Sequence, residues 1–110
     1  MKRIILFLTF FTLIFAQDAE ITNVQASQRT DGSKLVDISY DLSDVSNDNH
    51  DIYLLISFDN GENYTQLFSV SGDVGENIDV GNNKQIVWNA GEESPGTYSE
   101  QIKFKVVGAF

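Results

Sequence analysis

Beyond its first sixteen residues, this chain places apolar side chains at every second position. Val36, Ile38, Tyr40 and Leu42 alternate with Asp37, Ser39 and Asp41. A period of two puts one set of side chains on a single face of a strand. Ile102, Phe104 and Val106 alternate with Lys103 and Lys105, and Ile86 and Trp88 bracket Val87. Ile52 to Phe58 is apolar on both parities, as expected of a central strand covered on both faces. Glu20 to Gln28 is a weaker strand, with Val24 and Ala26 expected to face the core. No stretch after the leader carries a helical period.

The breaks between these runs have turn chemistry. Thr30-Asp31-Gly32-Ser33 joins the first two strands, Asp44 to Asp51 is a polar loop, and Gly91 to Gly96 precedes the last strand. Ser71 to Gly75 and Gly81-Asn82-Asn83 flank a short segment around Ile78. Six or seven short strands with turns about 8–12 residues apart predict an all-β, antiparallel sandwich. Its expected core is Val36, Ile38, Tyr40, Leu54, Ile56, Trp88, Phe104 and Val106. A lone Trp in an alternating strand is a core anchor before it is an exposed platform for a sugar ring.

One connection is more specific. Ser57-Phe58-Asp59-Asn60-Gly61-Glu62-Asn63-Tyr64 lies between the central strand and a second apolar stretch, Tyr64 to Val70, predicted to be its hairpin partner. Asn-Gly favours a tight turn because both residues accept positive φ. The spacing S-x-D-x-G-x-x-aromatic resembles an Asp-box, a hairpin motif of many β-proteins. In that motif the aspartate accepts bonds from the turn's own backbone, so Asp59 is expected to build the turn and Tyr64 to cover it.

The N-terminus sets the destination. Lys2 and Arg3 precede an uninterrupted run from Ile4 to Phe15, then Ala16 and the polar Gln17-Asp18-Ala19-Glu20. This is the form of a secretory signal peptide cleaved after Ala16. The run is too short for a spanning helix, which needs about 20 apolar residues. The expected domain is therefore residues 17–110, secreted or held in the periplasm or at the cell surface. With no Cys in the chain, a disulfide framework, a Cys-based zinc site, a thiol nucleophile and a lipid-modified N-terminal cysteine are all excluded.

Charge narrows the partners. Lys2 and Arg3 are two of the seven basic residues, and no acid precedes Asp18. Residues 17–110 thus hold five bases against sixteen acids, a net charge of −11. Such a surface repels nucleic acid and anionic membranes. Solubility is the simplest reading of the acidity, and cation binding the sharper one. Asp44, Asp48 and Asp51 offer hard oxygens to calcium, and Asp59 offers another, but the Gly and distal Glu of an EF-hand are missing. Calcium is the one cofactor the sequence admits. Nucleophilic catalysis has no support: His50 is the single histidine, expected solvated in the polar loop, and no G-x-S-x-G occurs. A sandwich this small has little room for a cleft, so no enzyme is expected.

A family resemblance runs along nearly the whole of residues 17–110. Asn23 to Asp44, Ser71-Gly-Asp-Val-Gly75, Lys84-Gln-Ile-Val-Trp-Asn-Ala-Gly91 and Pro95-Gly-Thr-Tyr-Ser-Glu-Gln-Ile-Lys-Phe-Lys-Val107 resemble an immunoglobulin-like or fibronectin type III-like module of secreted bacterial proteins. The resemblance implies that Tyr98 pins the corner before the last strand through its hydroxyl. Such modules often precede a formylglycine-generating-enzyme-like, sulfatase-modifying domain. Two departures stand out: Tyr64 occupies a position that is commonly Trp, and the loop after Asp44 is longer than usual. The resemblance implies a non-catalytic structural or interaction module with a protein or polysaccharide partner. The alternatives are a carbohydrate- or calcium-binding module and the front end of a larger extracellular protein. If the sandwich lacks a final strand, the edge at residues 100–108 is a further candidate, for self-association.

Overall fold

The computed structural model describes residues 20–94 and 101–109. The leader, and Tyr98 with its Pro95-Gly-Thr turn, lie outside them. The chain forms β1 (Glu20–Gln28), β2 (Leu35–Ser43), β3 (Asn49–Ser57), β4 (Thr65–Gln66), β5 (Val70–Gly72), β6 (Gly75–Asp79), β7 (Gly81–Asn89), the helical turn α1 (Ala90–Glu93) and β8 (Lys103–Ala109). One antiparallel sheet has the order β1-β2-β7-β5. In the other, β3 pairs with β8 along one edge and with β6 and then β4 along the opposite edge. The fold is a small all-β structure of two antiparallel sheets, as the alternating pattern predicts.

The core follows parity. Val36, Ile38, Tyr40 and Leu42 of β2 are buried, as are Ile52, Leu54 and Ile56 of β3, Ile86 and Trp88 of β7, and Val106 of β8. Seven of the eight residues expected in the core are thus buried, and Phe104 packs half-buried against it. The rings of Trp88 and Phe104 meet edge to face, with centroids 5.8 Å apart, the geometry that the aromatic quadrupole favours. Trp88 is 4% exposed, so it is an anchor and offers no face to a sugar.

Four expectations need correction. First, β1 faces the core through Ile21 as well as Val24; Ala26 keeps the inward parity, opposite the buried Ile38, but is itself exposed. The β1–β2 register shifts between Thr22 and Gln25, and Asn23 sits at φ 57. This bulge inserts a residue and reverses the parity of the strand's second half. Second, Tyr64 to Val70 is not one strand, and the described residues form eight strands when its short pieces are counted separately. Thr65 and Gln66 alone pair with β3. Leu67 then turns inward to 4% exposure, and Val70–Gly72 pairs with β7 in the other sheet. The chain changes layer here, with the Leu67 N–H still bonded to the Leu54 carbonyl of β3 at 2.9 Å and its side chain in the core.

Third, β3 starts at Asn49, before the apolar run, and so absorbs the end of the polar loop. Its fourfold inward set is His50, Ile52, Leu54 and Ile56. Fourth, the segment after β7 opens with a helical turn. Asn89 caps it, its side chain accepting from the Glu92 N–H at 3.0 Å. Among the described residues, no helix is long and apolar enough to cross a membrane.

Candidate functional site

Each acidic loop closes on itself first. In the loop before β3, Asp44 accepts from the Ser46 N–H at 2.7 Å and from the Asn47 amide at 3.3 Å. The oxygen that accepts from Asn47 also lies 2.6 Å from Nε2 of His50, and both side chains are fully shielded from solvent. The Ser46 N–H, then the Asn47 and His50 contacts, hold the Asp44 carboxyl below the ordinary carboxylate range against a smaller opposing effect of burial. The expectation of a solvated loop histidine is therefore overturned. His50 has the inward parity of β3 and is 2% exposed, and the turn at Asp44 folds a carboxylate back over it.

The second loop closes on its own aspartate, as the turn chemistry predicts. Asp59 accepts from the Asn63 N–H at 2.9 Å, the Asn63 amide at 2.8 Å and the Ser57 hydroxyl at 2.7 Å. The Ser57 hydroxyl in turn accepts from the Gly61 N–H at 2.8 Å. Asn60 and Gly61 both take positive φ, 64° and 93°. The Asn63 and Ser57 side-chain bonds, then the Asn63 N–H, push the Asp59 carboxyl down to about 2. Lys105 Nζ sits 4.6 Å from the centre of the Tyr64 ring, a cation–π arrangement that ties the loop to β8.

The four calcium candidates are not brought together. Asp44 and Asp48 precede β3, Asp51 lies within it, and Asp59 follows it. A nine-residue strand spans roughly 30 Å at about 3.3 Å per residue. Asp51 accepts from the Asn77 N–H at 3.1 Å. Asp48 is exposed, and its carbonyl accepts from the Val80 N–H at 2.9 Å. Among the described residues, no group of three or more His, Asp or Glu side chains is placed to hold a metal ion.

Sequence reasoning missed a third carboxylate centre. Glu93 accepts from the N–H groups of Phe68 and Ser69, at 3.0 and 2.9 Å, and from the Trp88 indole N–H at 2.9 Å. Burial by itself raises the Glu93 carboxyl, but the Ser69, Phe68 and Trp88 donors outweigh it and leave it lowered. Glu93 thus joins α1, the layer-crossing segment and the core tryptophan. Asp73 and Asp41 likewise accept from the N–H groups of Gln85 and Asn83, at 2.8 and 2.9 Å. No local motif announces these bonds, because donor and acceptor come from segments that only the sheets bring together.

The remaining feature is β8. Among the described residues β8 pairs with β3 through seven successive residue pairs, and β1 of the other sheet comes close to it. Phe104 and Val106 face inward, whereas Lys103, Lys105 and Val107 have the outward parity. Comparison with known proteins finds no match to a family model, to a curated protein or to a solved structure.

Proposed function

We propose that this chain is a non-catalytic, exported β-sandwich module of immunoglobulin-like or fibronectin type III-like type, acting as a structural or interaction domain outside the cell membrane. The observation that carries this reading is where the carboxylates point. Asp41, Asp44, Asp51, Asp59, Asp73 and Glu93 each accept a backbone N–H from a turn or a neighbouring segment. Side chains held in this way stiffen loops, and such loops suit a rigid scaffold better than acid–base chemistry. The order β1-β2-β7 in one sheet, with β8 beside β3 in the other, is consistent with the fibronectin type III-like resemblance. Export rests on the basic and apolar leader, and N-terminal sequencing of the secreted product tests it, with Gln17 expected first.

The competing reading is a calcium- or carbohydrate-binding module. Thermal melts with and without 5 mM calcium, roughly a saturating level for extracellular sites, discriminate the metal version. A ligand of the folded state raises the midpoint. No shift is expected, and a rise of several degrees overturns the non-metal reading. Retention on a glycan array would do the same for the carbohydrate version.

A further inference from the structure

Asn60-Gly61 is the one Asn-Gly pair in the chain. Asparagine is among the chemically labile side chains. A following glycine exposes it most, because no Cβ shields the next backbone nitrogen. The reaction is a cyclisation. The Gly61 nitrogen attacks the side-chain carbonyl carbon of Asn60 and a C–N bond forms. The side-chain nitrogen then leaves as ammonia, taking the equivalent of the Gly61 amide proton. Water opens the resulting succinimide ring at either carbonyl and leaves aspartate or isoaspartate at position 60. Asn60 is exposed, so water reaches it.

The fold opposes the first step in three ways. Asn60 sits at φ 64, in the left-handed region, where the Gly61 nitrogen is turned to the far side of Cα from the Asn60 side chain. The Gly61 N–H donates to Ser57 Oγ at 2.8 Å, and an N–H held by an acceptor gives up its proton less readily. The Asn60 N–H donates to the Gln101 carbonyl at 3.0 Å, which fixes the residue from its other side. Ser57 is well placed for this task. It is fully buried at the end of β3. Its own proton goes to Asp59 at 2.7 Å, so its lone pairs face the Gly61 N–H and, at 3.2 Å, the Asp59 N–H.

We propose that Asn60 is the chain's site of spontaneous deamidation, held closed in the native loop by Ser57. Chemistry that needs a local opening runs at the opened fraction of the open-chain rate. Cyclisation therefore reads the opening of this loop, not the unfolding of the whole domain. The product does not refit the turn. A carboxylate at position 60 joins Asp59 and Glu62 in a domain whose net charge is already −11. The isoaspartyl form also adds a methylene to the main chain inside the turn. The loop thus keeps a covalent record of having opened. This inference goes beyond the scaffold role proposed above and does not depend on it.

Peptide mass spectrometry of protein aged in mildly alkaline buffer tests the proposal, reading the mass gain at position 60 and the aspartyl and isoaspartyl products. The folded parent is expected to react at least about tenfold more slowly than the same chain in urea. Ser57→Ala, its fold checked by circular dichroism, is expected to react about five to ten times faster than the folded parent, the factor that one hydrogen bond supplies. Ser57→Cys keeps the shape with a weaker acceptor and is expected to fall between the two; it carries the test alone if the alanine variant does not fold. Gly72→Ala strains a different segment and is expected to leave the rate within about twofold, because local opening is insensitive to global stability. Equal rates for the parent in buffer and in urea would overturn the proposal. So would folded Ser57 variants no faster than the parent, or a Gly72→Ala rate raised as far as that of Ser57→Ala.

Discussion

Glu93 shows how much one side chain can carry in a small domain without disulfides. Three donors from two segments converge on its carboxylate. Glu93→Ala leaves the Trp88 indole and two backbone N–H groups without this acceptor, and a buried donor left unsatisfied costs about 1–3 kcal/mol. The expected result is a loss of about 2–3 kcal/mol in urea unfolding, with a shift in tryptophan emission as the Trp88 environment loosens. Unchanged stability would mean that these bonds contribute nothing net. Glu93 was not legible in the sequence, because two of its three donors lie 24 and 25 residues away.

Asp59 makes a prediction in pH. Its folded value is about 2 against 3.8 for the free side chain. A depressed carboxyl contributes stability that is present above the unfolded value and lost as pH falls through the folded one. Stability should therefore decline between about pH 4 and pH 2, and Asp59→Asn should flatten that decline while leaving neutral-pH melting closer to the parent. Chemical denaturation at a series of pH values measures both slopes. Asp59 was legible, because its partners Ser57, Gly61 and Asn63 lie within the same loop and the motif spacing names them.

At the scale of elements, β3 and the segment that crosses between layers decide the packing. His50 takes the first inward position of β3. His50→Ala opens a cavity between the sheets and removes the group facing Asp44, and is expected to cost about 2–4 kcal/mol. His50→Leu keeps the volume but still strands the carboxylate, so it should rescue only in company with Asp44→Asn, as buried polar pairs often tolerate joint replacement by less polar groups. A thermal-melt double-mutant cycle gives the coupling. The crossing segment has its own pinch point. Gly72 has φ +97°, and a Cβ there would collide with the Gln85 carbonyl oxygen. Gly72→Ala is expected to cost at least about 2 kcal/mol, combining backbone strain with that collision.

Parity alone misplaced both ends of this pattern, for definite reasons. The bulge at Asn23 reverses β1 midway, and a non-glycine residue at positive φ leaves no mark in the hydrophobic pattern. The polar loop seemed to run to Asp51 because Asn49 and His50 are polar. His50 nevertheless has the parity of Ile52, and pairing of Asn49 and His50 with Asp79 and Ile78 draws both into the strand.

For the molecule as a whole, the acidity outweighs any one contact. Residues 17–110 carry a net charge of −11, five bases against sixteen acids. Arg29 and Asp37 form a two-pronged pair, at 2.9 Å for each bond. Self-repulsion of this kind weakens the compact state and is screened within about 10 Å at 0.1 M salt. Raising sodium chloride from about 0.02 to 0.5 M is expected to raise the melting midpoint by a few degrees. A falling midpoint would show that attractive pairs dominate.

By itself the sequence determined the class of fold, the central place of β3 in its sheet, nearly the whole core, and a turn built by Asp59. Each of these depends on neighbours within a few residues, where period and turn chemistry act directly. Only the tertiary structure decided that His50 is buried against Asp44, that Glu93 gathers donors from two segments, and that the chain changes sheets after Gln66. Those features arise from the meeting of segments far apart in the chain. A local pattern of apolar and polar residues does not encode which of them will meet.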